Sequence, residues 1–469
     1  MNSISSEKSS NLHGEIMVPG DKSISHRSVI LGSLVVGRIE ITNLLESEDV
    51  LATINALRSL GVKINELKDK WEVFGQGIGS FFGSNYILNM GNSGTGARLL
   101  MGLVAGSDVE ATFIGDESLS KRPMKRIILP LSQTGAMIKD PEKNNLPVTI
   151  RGNKIPLPIE YKSPVSSAQI KSSILLCGLS STGKTTVIEP SLSRDHTEKL
   201  LKYLGANVET TQLKNKSWKI TIEGLPNLHP LNINVPSDPS SAAFPIVSAI
   251  ITPNSNVKVK NVCVNKLRIG LFETLIEMGA NIKFSNRREI NGEFIADITA
   301  VSSQLKGITV PKSRVPSMID EFPILSMAAT KAKGDTVMEG VEELRYKETD
   351  RINAVCEGLQ KAGVETINTK DTMVIRGIGN TSTLKGNVEI NSKLDHRIAM
   401  SFLCLGLTTE KPIVVKDTET INSSFPGFVN IMKNIGAKLK NVNQKKLYNI
   451  SYARNCNRWN ICFWKRNIS

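Results

Sequence analysis

The chain has 469 residues, enough for two or three domains, and its 40% hydrophobic and 22% charged composition is that of an ordinary globular protein. No segment approaches the roughly 18 apolar residues of a membrane span, and the N-terminus lacks the apolar region of a secretory signal. Six cysteines without a C-x-x-C pair argue against a zinc site or a disulfide framework and favour a reducing cytoplasm.

The net charge of +14 is concentrated at one end of the chain. Residues 440–469 hold seven Lys or Arg and no acid, which leaves the rest of the chain with 51 basic and 44 acidic residues. A body of +7 with 5% aromatic residues fits an enzyme for small anionic substrates better than a nucleic-acid-binding protein.

Two series of predicted helices alternate along the chain. Segments rich in small and apolar residues predict buried helices that begin near residues 24, 95, 166, 240, 320 and 395. About 40 residues after each start, an amphipathic segment ends in Leu/Met-x-x-x-Gly-Ala/Val, with glycines at positions 61, 135, 205, 279, 363 and 436. Each glycine is typical of a helix C-terminus before a strand. The chain therefore repeats a unit of about 75 residues six times, and we expect three units to form a domain.

The polar residues of the buried helices lie at their N-termini, in segments such as GDKSISHR, GNSGTGAR and KLDHR. A buried helix N-terminus has unpaired N–H groups and about half a positive charge. If three such ends in each domain face the other domain, two anion-binding surfaces meet across a cleft. We expect substrate to bind between the domains, and the two positive surfaces to repel each other until anions fill the cleft.

Residues 178–185, GLSSTGKT, match the nucleotide-binding pattern G-x-x-x-x-G-K-[ST]. That motif needs a strand before its loop and a helix after it, so that helix N–H groups contact the phosphates. Here a predicted helix precedes the glycines and the β-branched run TTVIEP follows them. We interpret the match as a helix-to-strand turn, and a P-loop kinase remains an alternative that nucleotide binding would reveal.

Residue types suited to anions recur at these helix starts. In PGDKSISHR (19–27), a Lys, a Ser and an Arg share one turn, which suits a phosphate and equally a capped helix with a surface arginine. The charged run at 343–351 also fits a salt-bridged, solvated helix face. Arg397 begins an apolar helix, where a solvated position is not expected, and a general base among His26, His196 and His396 stays open.

Eight segments, in this order, resemble the 5-enolpyruvylshikimate-3-phosphate synthase (3-phosphoshikimate 1-carboxyvinyltransferase) family: PGDKSISHR, GNSGTGAR, KRPM, SSAQ, RDHTEK, VPSMIDEFPI, ELRYKETDR and LDHRIAMSF. The resemblance covers roughly residues 12–440. It implies an inside-out α/β barrel fold in which residues 20–234 form one three-repeat domain and residues 1–19 with 235–439 form the other. It also implies transfer of the enolpyruvyl group of phosphoenolpyruvate to the 5-hydroxyl of shikimate 3-phosphate, with no metal or organic cofactor.

By this resemblance, two overlapping sets of residues bind the substrates. The shikimate 3-phosphate set is Lys22, Ser23, Arg27, Ser167, Ala168, Gln169, Arg194, Asp320 and Lys347. The phosphoenolpyruvate set is Lys22, Gly94, Arg122, Gln169, Arg351 and Arg397. Seven of these side chains are cationic, which suits two substrates that together carry about six negative charges.

The implied reaction is an addition followed by an elimination. Asp320 is the predicted acceptor of the 5-hydroxyl proton. Lys22 and Glu348 are two open candidates for the acid that protonates the methylene carbon, with the carboxyl pKa raised by burial. We expect a monomer whose partners are these two small molecules, with no nucleic acid and no membrane.

Some residues depart from the common family pattern. Ser423 and the SAQ segment resemble the divergent second class of the family, whose members are often insensitive to glyphosate. Gly94 keeps the small residue associated with inhibitor access, so glyphosate sensitivity stays open. The alternative function is that of UDP-N-acetylglucosamine enolpyruvyl transferase, which uses a loop cysteine; residues 116–125 here contain none.

Residues 440–469 form a basic tail whose composition predicts disorder. Back-translation of NCNRWNICFWKRNI (455–468) allows a second reading frame, IAIDGTSASGKGT, which resembles the first strand and phosphate loop of cytidylate kinase. We predict that the tail is translated over the start of a neighbouring kinase gene, by overlap or frameshift, and that it is dispensable for catalysis.

Overall fold

The computed structural model describes residues 2–379 and 382–442. The predictions for the basic tail lie outside this range, except that residues 440–442 belong to the last strand, β25 (Lys438–Val442). This strand pairs with the first strand of the chain, β1 (Ser3–Glu7), and so continues the sixth repeat three residues beyond its predicted end.

The described residues form six sheets with one common pattern. Each sheet has a parallel pair followed by two antiparallel pairs, and one of the six sheets has a second parallel pair. Six copies of one sheet pattern are the structural counterpart of the six sequence repeats.

Three sheets come from the first half of the chain. Their strands, in spatial order, are β14 (Ile233–Asn234), β3 (Val36–Thr42), β5 (Lys70–Gln76) and β4 (Lys63–Glu66); β6 (Phe82–Asn89), β7 (Asp108–Ile114), β9 (Val148–Arg151) and β8 (Met137–Lys139); and β10 (Glu160–Lys162), β11 (Lys184–Glu189), β13 (Trp218–Glu223) and β12 (Val208–Gln212).

The other three sheets combine the second half of the chain with its first residues. Their strands are β23 (Val388–Asn391), β24 (Ile413–Lys416), β1 and β25; β16 (Asn281–Ile290), β17 (Glu293–Val301), β15 (Asn256–Cys263) and β2 (His13–Ile16); and β18 (Leu305–Lys306), β20 (Ala332–Glu339), β22 (Thr372–Ile378) and β21 (Thr366–Asn368), with β19 (Thr309–Val310) also on β20.

Six helices lie at the centre, and nearly all of their residues are buried. They are α1 (Lys22–Leu34), α3 (Gly94–Ala105) and α6 (Ala168–Gly178) in the first group, and α8 (Pro239–Ile251), α11 (Phe322–Thr330) and α13 (His396–Gly406) in the second. Their starts lie within two residues of the predicted ones. The predicted α/β class with helices inside is confirmed.

The remaining helices are shorter or amphipathic, and bury one face against the sheets and central helices. They are α2 (Glu48–Ser59), α4 (Glu117–Ser120), α5 (Lys125–Ser132), α7 (His196–Tyr203), α9 (Gly270–Glu277), α10 (Val315–Met318), α12 (Arg351–Lys361) and α14 (Phe428–Asn434), with three 3-10 turns at Lys312–Arg314, Glu342–Tyr346 and Thr418–Ser423. The six repeat glycines all have φ between 89° and 101°, which confirms their predicted place at helix C-termini.

Buried apolar side chains divide in the same way as the sheets. One cluster comes from residues 24–235 together with Cys263, and the other from Ile4, Leu12, Val18 and residues 242–439. The chain passes between the two groups twice, at Gly20 and at Ser237, and these two segments form an antiparallel bridge. A Cβ at Gly20 would lie 2.0 Å from the Asn43 carbonyl oxygen, so this crossing needs glycine.

The P-loop match lies where the sequence analysis placed it, between a helix and a strand. Helix α6 ends at Gly178 and strand β11 begins at Lys184. No helix N-terminus follows the glycines, so the segment lacks the phosphate-binding geometry of a P-loop. Across residues 2–379 and 382–442, no helix has the length and apolar character that a membrane crossing requires.

Candidate active site

Residues at the starts of all six central helices line one cavity of about 360 Å³. Five of these helices begin with a side chain that accepts a hydrogen bond from a backbone N–H of the first turn: Asp21, Ser93, Ser167, Asp238 and Asp395. Because each N-terminus carries a partial positive charge, their convergence favours anions in the cavity.

The charged side chains around the cavity add to this potential. Nine are cationic and five are anionic: Lys22, Arg27, Arg98, Arg122, Arg126, Arg194, Arg268, Lys347 and Arg397 against Asp49, Asp238, Asp320, Glu343 and Glu348. The excess of four positive charges lies in a partly enclosed space, where charges are screened less than at the surface. The cavity is therefore built for anions.

Thirteen of the fourteen predicted site residues line this cavity: Lys22, Ser23, Arg27, Gly94, Arg122, Ser167, Ala168, Gln169, Arg194, Asp320, Lys347, Glu348 and Arg397. The fourteenth, Arg351, lies directly behind the lining, with its side chain 1% exposed. It donates to Asp395 at 2.8 Å, to Glu348 at 2.5 Å and to Asp320 at 3.4 Å. Arg351 thus contacts two predicted acids from behind and does not face the cavity.

Asp320 lies among cations from both groups of sheets. Arg194 Nη2 donates to Asp320 Oδ2 at 2.8 Å, and Lys347 Nζ is 3.6 Å from Oδ1. Burial raises the pKa of Asp320, but Lys347, Arg194 and two further arginines outweigh burial and hold that pKa well below its ordinary value. Asp320 is therefore an ionised carboxylate, the form that can accept a proton.

Glu348 contacts arginines from both groups as well. Arg351 Nη2 donates to Oε2 at 2.5 Å, and Arg122 Nη1 is 4.0 Å from Oε1. Burial raises the pKa of Glu348, yet Arg351 and other cationic neighbours hold it well below its ordinary value. The sequence analysis expected a raised carboxyl pKa here. That expectation is wrong, because Arg351, Arg122 and Lys22 bring positive charge to this side chain from three separate parts of the chain.

Lys22 is paired with an acid that the sequence analysis did not select. Its Nζ is 2.9 Å from Asp49 Oδ2, and both side chains face the cavity. Asp49 lies in the first turn of the amphipathic helix α2. An acid at that position ordinarily stabilises the helix, so the sequence carried no separate signal for it.

Arg27 and Gln169 are held by side chains that surround them. Arg27 Nε donates to Thr197 Oγ1 at 2.7 Å, and Arg27 Nη2 donates to Ser172 Oγ at 2.8 Å. Gln169 Oε1 accepts from Arg98 Nη1 at 2.7 Å. Burial and the nearby Arg126 and Arg122 charges lower the pKa of Arg98 to about 9. Like Arg397, Arg98 is a charged residue at the start of an apolar helix, a signal that was present in NSGTGAR and was missed.

Arg397 and the histidines complete the site. Arg397 Nη1 donates to the Asp320 carbonyl oxygen at 3.1 Å. Burial and the Lys22 charge lower the pKa of His396 well below its ordinary value, and burial lowers the pKa of His26 to about 3. Both rings are therefore neutral near pH 7. His26 is hydrogen-bonded to Thr53 outside the cavity lining, whereas His196 and His396 line it.

Comparison with known proteins identifies this architecture. The family model for EPSP synthase (3-phosphoshikimate 1-carboxyvinyltransferase) matches residues 6–432. The 3-phosphoshikimate 1-carboxyvinyltransferase of Parvibaculum lavamentivorans is 49% identical over 436 residues, covering 93% of this chain and 96% of that protein. The Bartonella quintana protein of the same name is 48% identical over 93% of this chain and 98% of its own length.

Solved structures agree. EPSP synthase from Acinetobacter baumannii has a TM-score of 0.85 and 42% identity, covering 94% of this chain and all of that chain. The enolpyruvyl transferase NikO from Streptomyces tendae has a TM-score of 0.74 over 94% of this chain and 99% of its own, but only 14% identity, which shows a shared fold alone.

The fold is thus that of the enolpyruvyl transferases, with an anion cavity between two groups of three repeats. The chain belongs to the EPSP synthase family. The predicted enzyme class, 3-phosphoshikimate 1-carboxyvinyltransferase, is confirmed over the UDP-N-acetylglucosamine alternative.

The buried position of Arg351 among carboxylates gives a testable pH dependence. Arg351→Met removes the shared cation, and we expect the free energy of unfolding to fall by about 3–5 kcal/mol at pH 7. The pKa values of Glu348 and Asp320 are lowered in the folded protein, so the stabilisation is present above their unfolded values and is lost as the pH falls through the folded ones. Without Arg351 these carboxyl groups lose part of that lowering and take up protons at a higher pH than in the wild type, so the deficit should shrink from pH 7 to about pH 3.5, across the ordinary carboxyl range.

Urea unfolding at the two pH values measures this effect. The control is Arg376→Met, which removes a half-exposed arginine 3.3 Å from Glu365 and should change the unfolding free energy by less than about 0.5 kcal/mol. An equal deficit of the Arg351 variant at both pH values would contradict the ionised network.

Proposed function

We propose that the cavity binds phosphoenolpyruvate and shikimate 3-phosphate together and that its residues carry out the family's enolpyruvyl transfer. The observation that carries this proposal is the excess of cations over acids where the six helix N-termini converge. Each substrate has a phosphate and a carboxylate, about three negative charges near neutral pH. The side-chain excess of four, together with about half a positive charge at each helix N-terminus, roughly balances two such anions, whereas one anion leaves a positive excess.

Shikimate 3-phosphate would bind on the side of Arg27, Ser167 and Lys347. Ser23 and Ser167 lie in the first turn of α1 and at the cap of α6, where a phosphate can also accept from helix N–H groups. Thr197 and Ser172 hold the Arg27 guanidinium in place, so that its charge is positioned before the phosphate arrives. Ala168, Gln169 and Arg194 also line the cavity.

Phosphoenolpyruvate would bind between Arg122 of the first group and Arg397 of the second. Gly94 favours this placement because a Cβ there would lie 3.1 Å from Arg122 Nη1 and 3.3 Å from Arg98 Nη1. The missing side chain leaves both guanidinium groups facing the cavity. Arg351 contributes its charge from behind Glu348 and does not need to touch the substrate.

The reaction then follows from the protonation states. The Asp320 carboxylate takes the proton of the 5-hydroxyl as the oxygen bonds to the central carbon of phosphoenolpyruvate, and the methylene carbon becomes a methyl group by taking a proton from Lys22. In the elimination, one methyl proton returns to the Lys22 amine, the double bond re-forms and phosphate leaves with the proton from Asp320. We assign the acid to Lys22 because Glu348 is ionised among its arginines and stabilises positive charge instead.

We further propose that residues 20–234 and residues 1–19 with 235–439 are two domains, since each has its own apolar cluster and three sheets. The sequence analysis expected two positive surfaces that face and repel each other. Arg194 pairs with Asp320 across the groups and offsets part of this repulsion.

We also propose a cytoplasmic monomer. The four cysteines of the described residues are free and buried, as suits a reducing compartment.

The substrate assignment predicts opposite effects for two sets of variants. Arg122→Ala and Arg397→Ala should raise the KM for phosphoenolpyruvate about 30-fold or more, because each loses a charged partner of this anion, and should change the KM for shikimate 3-phosphate far less. Arg27→Ala should show the reverse pattern. Steady-state kinetics with each substrate varied in turn measures both values, and equal effects on the two substrates would contradict the placement.

The assignment of the acid is tested by Lys22→Met and Glu348→Gln. We expect the first to lower kcat by about 100- to 10,000-fold and the second by less than about tenfold, because Lys22 transfers a proton in this mechanism and Glu348 does not. Thermal unfolding of both variants controls for folding. If Glu348→Gln were the more damaging change, Glu348 would be the proton donor and the assignment would be wrong.

A further inference from the structure

Arg268 connects the two chain crossings to each other. It lies after strand β15, in the second group of sheets, and its side chain is 2% exposed. Arg268 Nη1 donates to Asp21 Oδ2 at 2.8 Å, and Nη2 donates to Asp238 Oδ1 at 3.1 Å. Asp21 follows the first crossing and Asp238 follows the second, so one guanidinium group holds both segments.

The other oxygen of each carboxylate accepts from the backbone of α1. Asp21 Oδ1 accepts from the Ile24 N–H at 2.9 Å, and Asp238 Oδ2 accepts from the Lys22 N–H at 3.2 Å. Each aspartate therefore has one oxygen toward Arg268 and one toward the first turn of α1. That turn carries Lys22, the acid of the proposed reaction.

A second connection runs from Arg268 to α7. Arg268 Nη1 is 3.4 Å from His196 Nε2, and His196 Nδ1 is 2.6 Å from Glu293 Oε1. Because an arginine only donates, Nε2 is the acceptor in this contact, and Nδ1 faces Glu293. The next residue of α7, Thr197, accepts from Arg27.

The acids around His196 belong to the same network. Asp195, His196 and Glu293 have ligand-type atoms within 4.8 Å of one another. Lys199 donates to Glu293 at 3.1 Å, and Asn265 donates to Asp195 at 2.6 Å. Protein donors therefore already occupy these carboxylates, and the cluster supports Arg268 and α7.

We propose that Arg268 is a positioning residue for the enolpyruvyl transfer. It fixes the first turn of α1, and with it Lys22, relative to Asp320 of the second group, without touching the reacting atoms. The proposal rests on the role given above to Lys22. A misplacement of about 1 Å at a catalytic group can lower a rate about 100-fold, so the residue that sets this position should control kcat.

Arg268→Lys tests the proposal with the charge retained. A lysine cannot donate to both aspartates in the fixed fork geometry of arginine, so we expect kcat to fall about 10- to 100-fold while both KM values stay within about threefold. Arg268→Ala should lose still more activity. Guanidinium ion at about 10 mM should raise the kcat of this variant at least about fivefold, because Arg268 lines the cavity and the ion can reach its place. Methylammonium, which cannot donate to two carboxylates in the planar geometry of guanidinium, should not raise kcat.

Arg314→Lys is the matched control. Arg314 also belongs to the second group and donates to both oxygens of Glu277, at 2.7 and 2.5 Å, but it does not line the cavity. The kcat of Arg314→Lys should stay within about twofold of the wild-type value, and guanidinium should not change it.

Wild-type kcat in Arg268→Lys, or a raised KM with unchanged kcat, would overturn the proposal. So would a loss of activity in Arg268→Ala that guanidinium leaves unchanged in a folded protein. If Arg268→Ala does not fold, the Arg268→Lys ratio decides alone. All of these values are ratios to the wild type. If the wild type itself released no phosphate, the proposed function would be refuted. That outcome differs from a failure of the Arg268 proposal, in which the wild type is active.

Discussion

The convergence of six buried helix N-termini on one cavity is the constraint on which the rest of the site depends. Each end brings unpaired N–H groups and partial positive charge, and nine cationic side chains surround the same space. Such a cavity needs anions to balance it. The chain supplies five carboxylates of its own, and Asp320 and Glu348 are two of them. Asp320 and Glu348 are therefore counter-ions of the cavity and, in the proposed mechanism, also lie next to the reacting atoms.

This double role connects binding to chemistry. Arg194 pairs with Asp320, and Arg122 lies near Glu348, across the two groups of sheets. In the proposed complex, substrate phosphates and carboxylates compete for these same cations. If the cations turn to the substrates as we propose, Asp320 loses part of the charge that lowers its pKa and becomes a stronger proton acceptor. On this proposal, binding of the anions raises the basicity of Asp320, the group that starts the proposed addition.

The architecture was readable from the sequence because its signals are local. The C-terminal glycines and the apolar helices repeat at a nearly constant spacing, and the observed starts of the central helices lie within two residues of the predicted ones. The polar residues at those starts needed only the fold to bring them together. The identity of the substrates came from the resemblance to a family, because the helix pattern indicates only that the cavity binds anions.

What the sequence could not show depends on tertiary partners. Asp49 looked like an ordinary acid at a helix start, and Arg268 lies in a loop without a pattern. Their importance arises only when Lys22, Asp21 and Asp238 are brought beside them. The pKa of Glu348 was misjudged for the same reason. The sequence pattern indicates burial, but the arginines that outweigh burial come from separate parts of the chain.

Phosphate release by the purified chain tests the central claim, that this cavity holds two anions and joins them. With phosphoenolpyruvate and shikimate 3-phosphate together, the account predicts one phosphate released for each enolpyruvyl ether formed. It predicts none with phosphoenolpyruvate alone or with UDP-N-acetylglucosamine in place of shikimate 3-phosphate. Release with the nucleotide sugar, or no release with shikimate 3-phosphate, would contradict it.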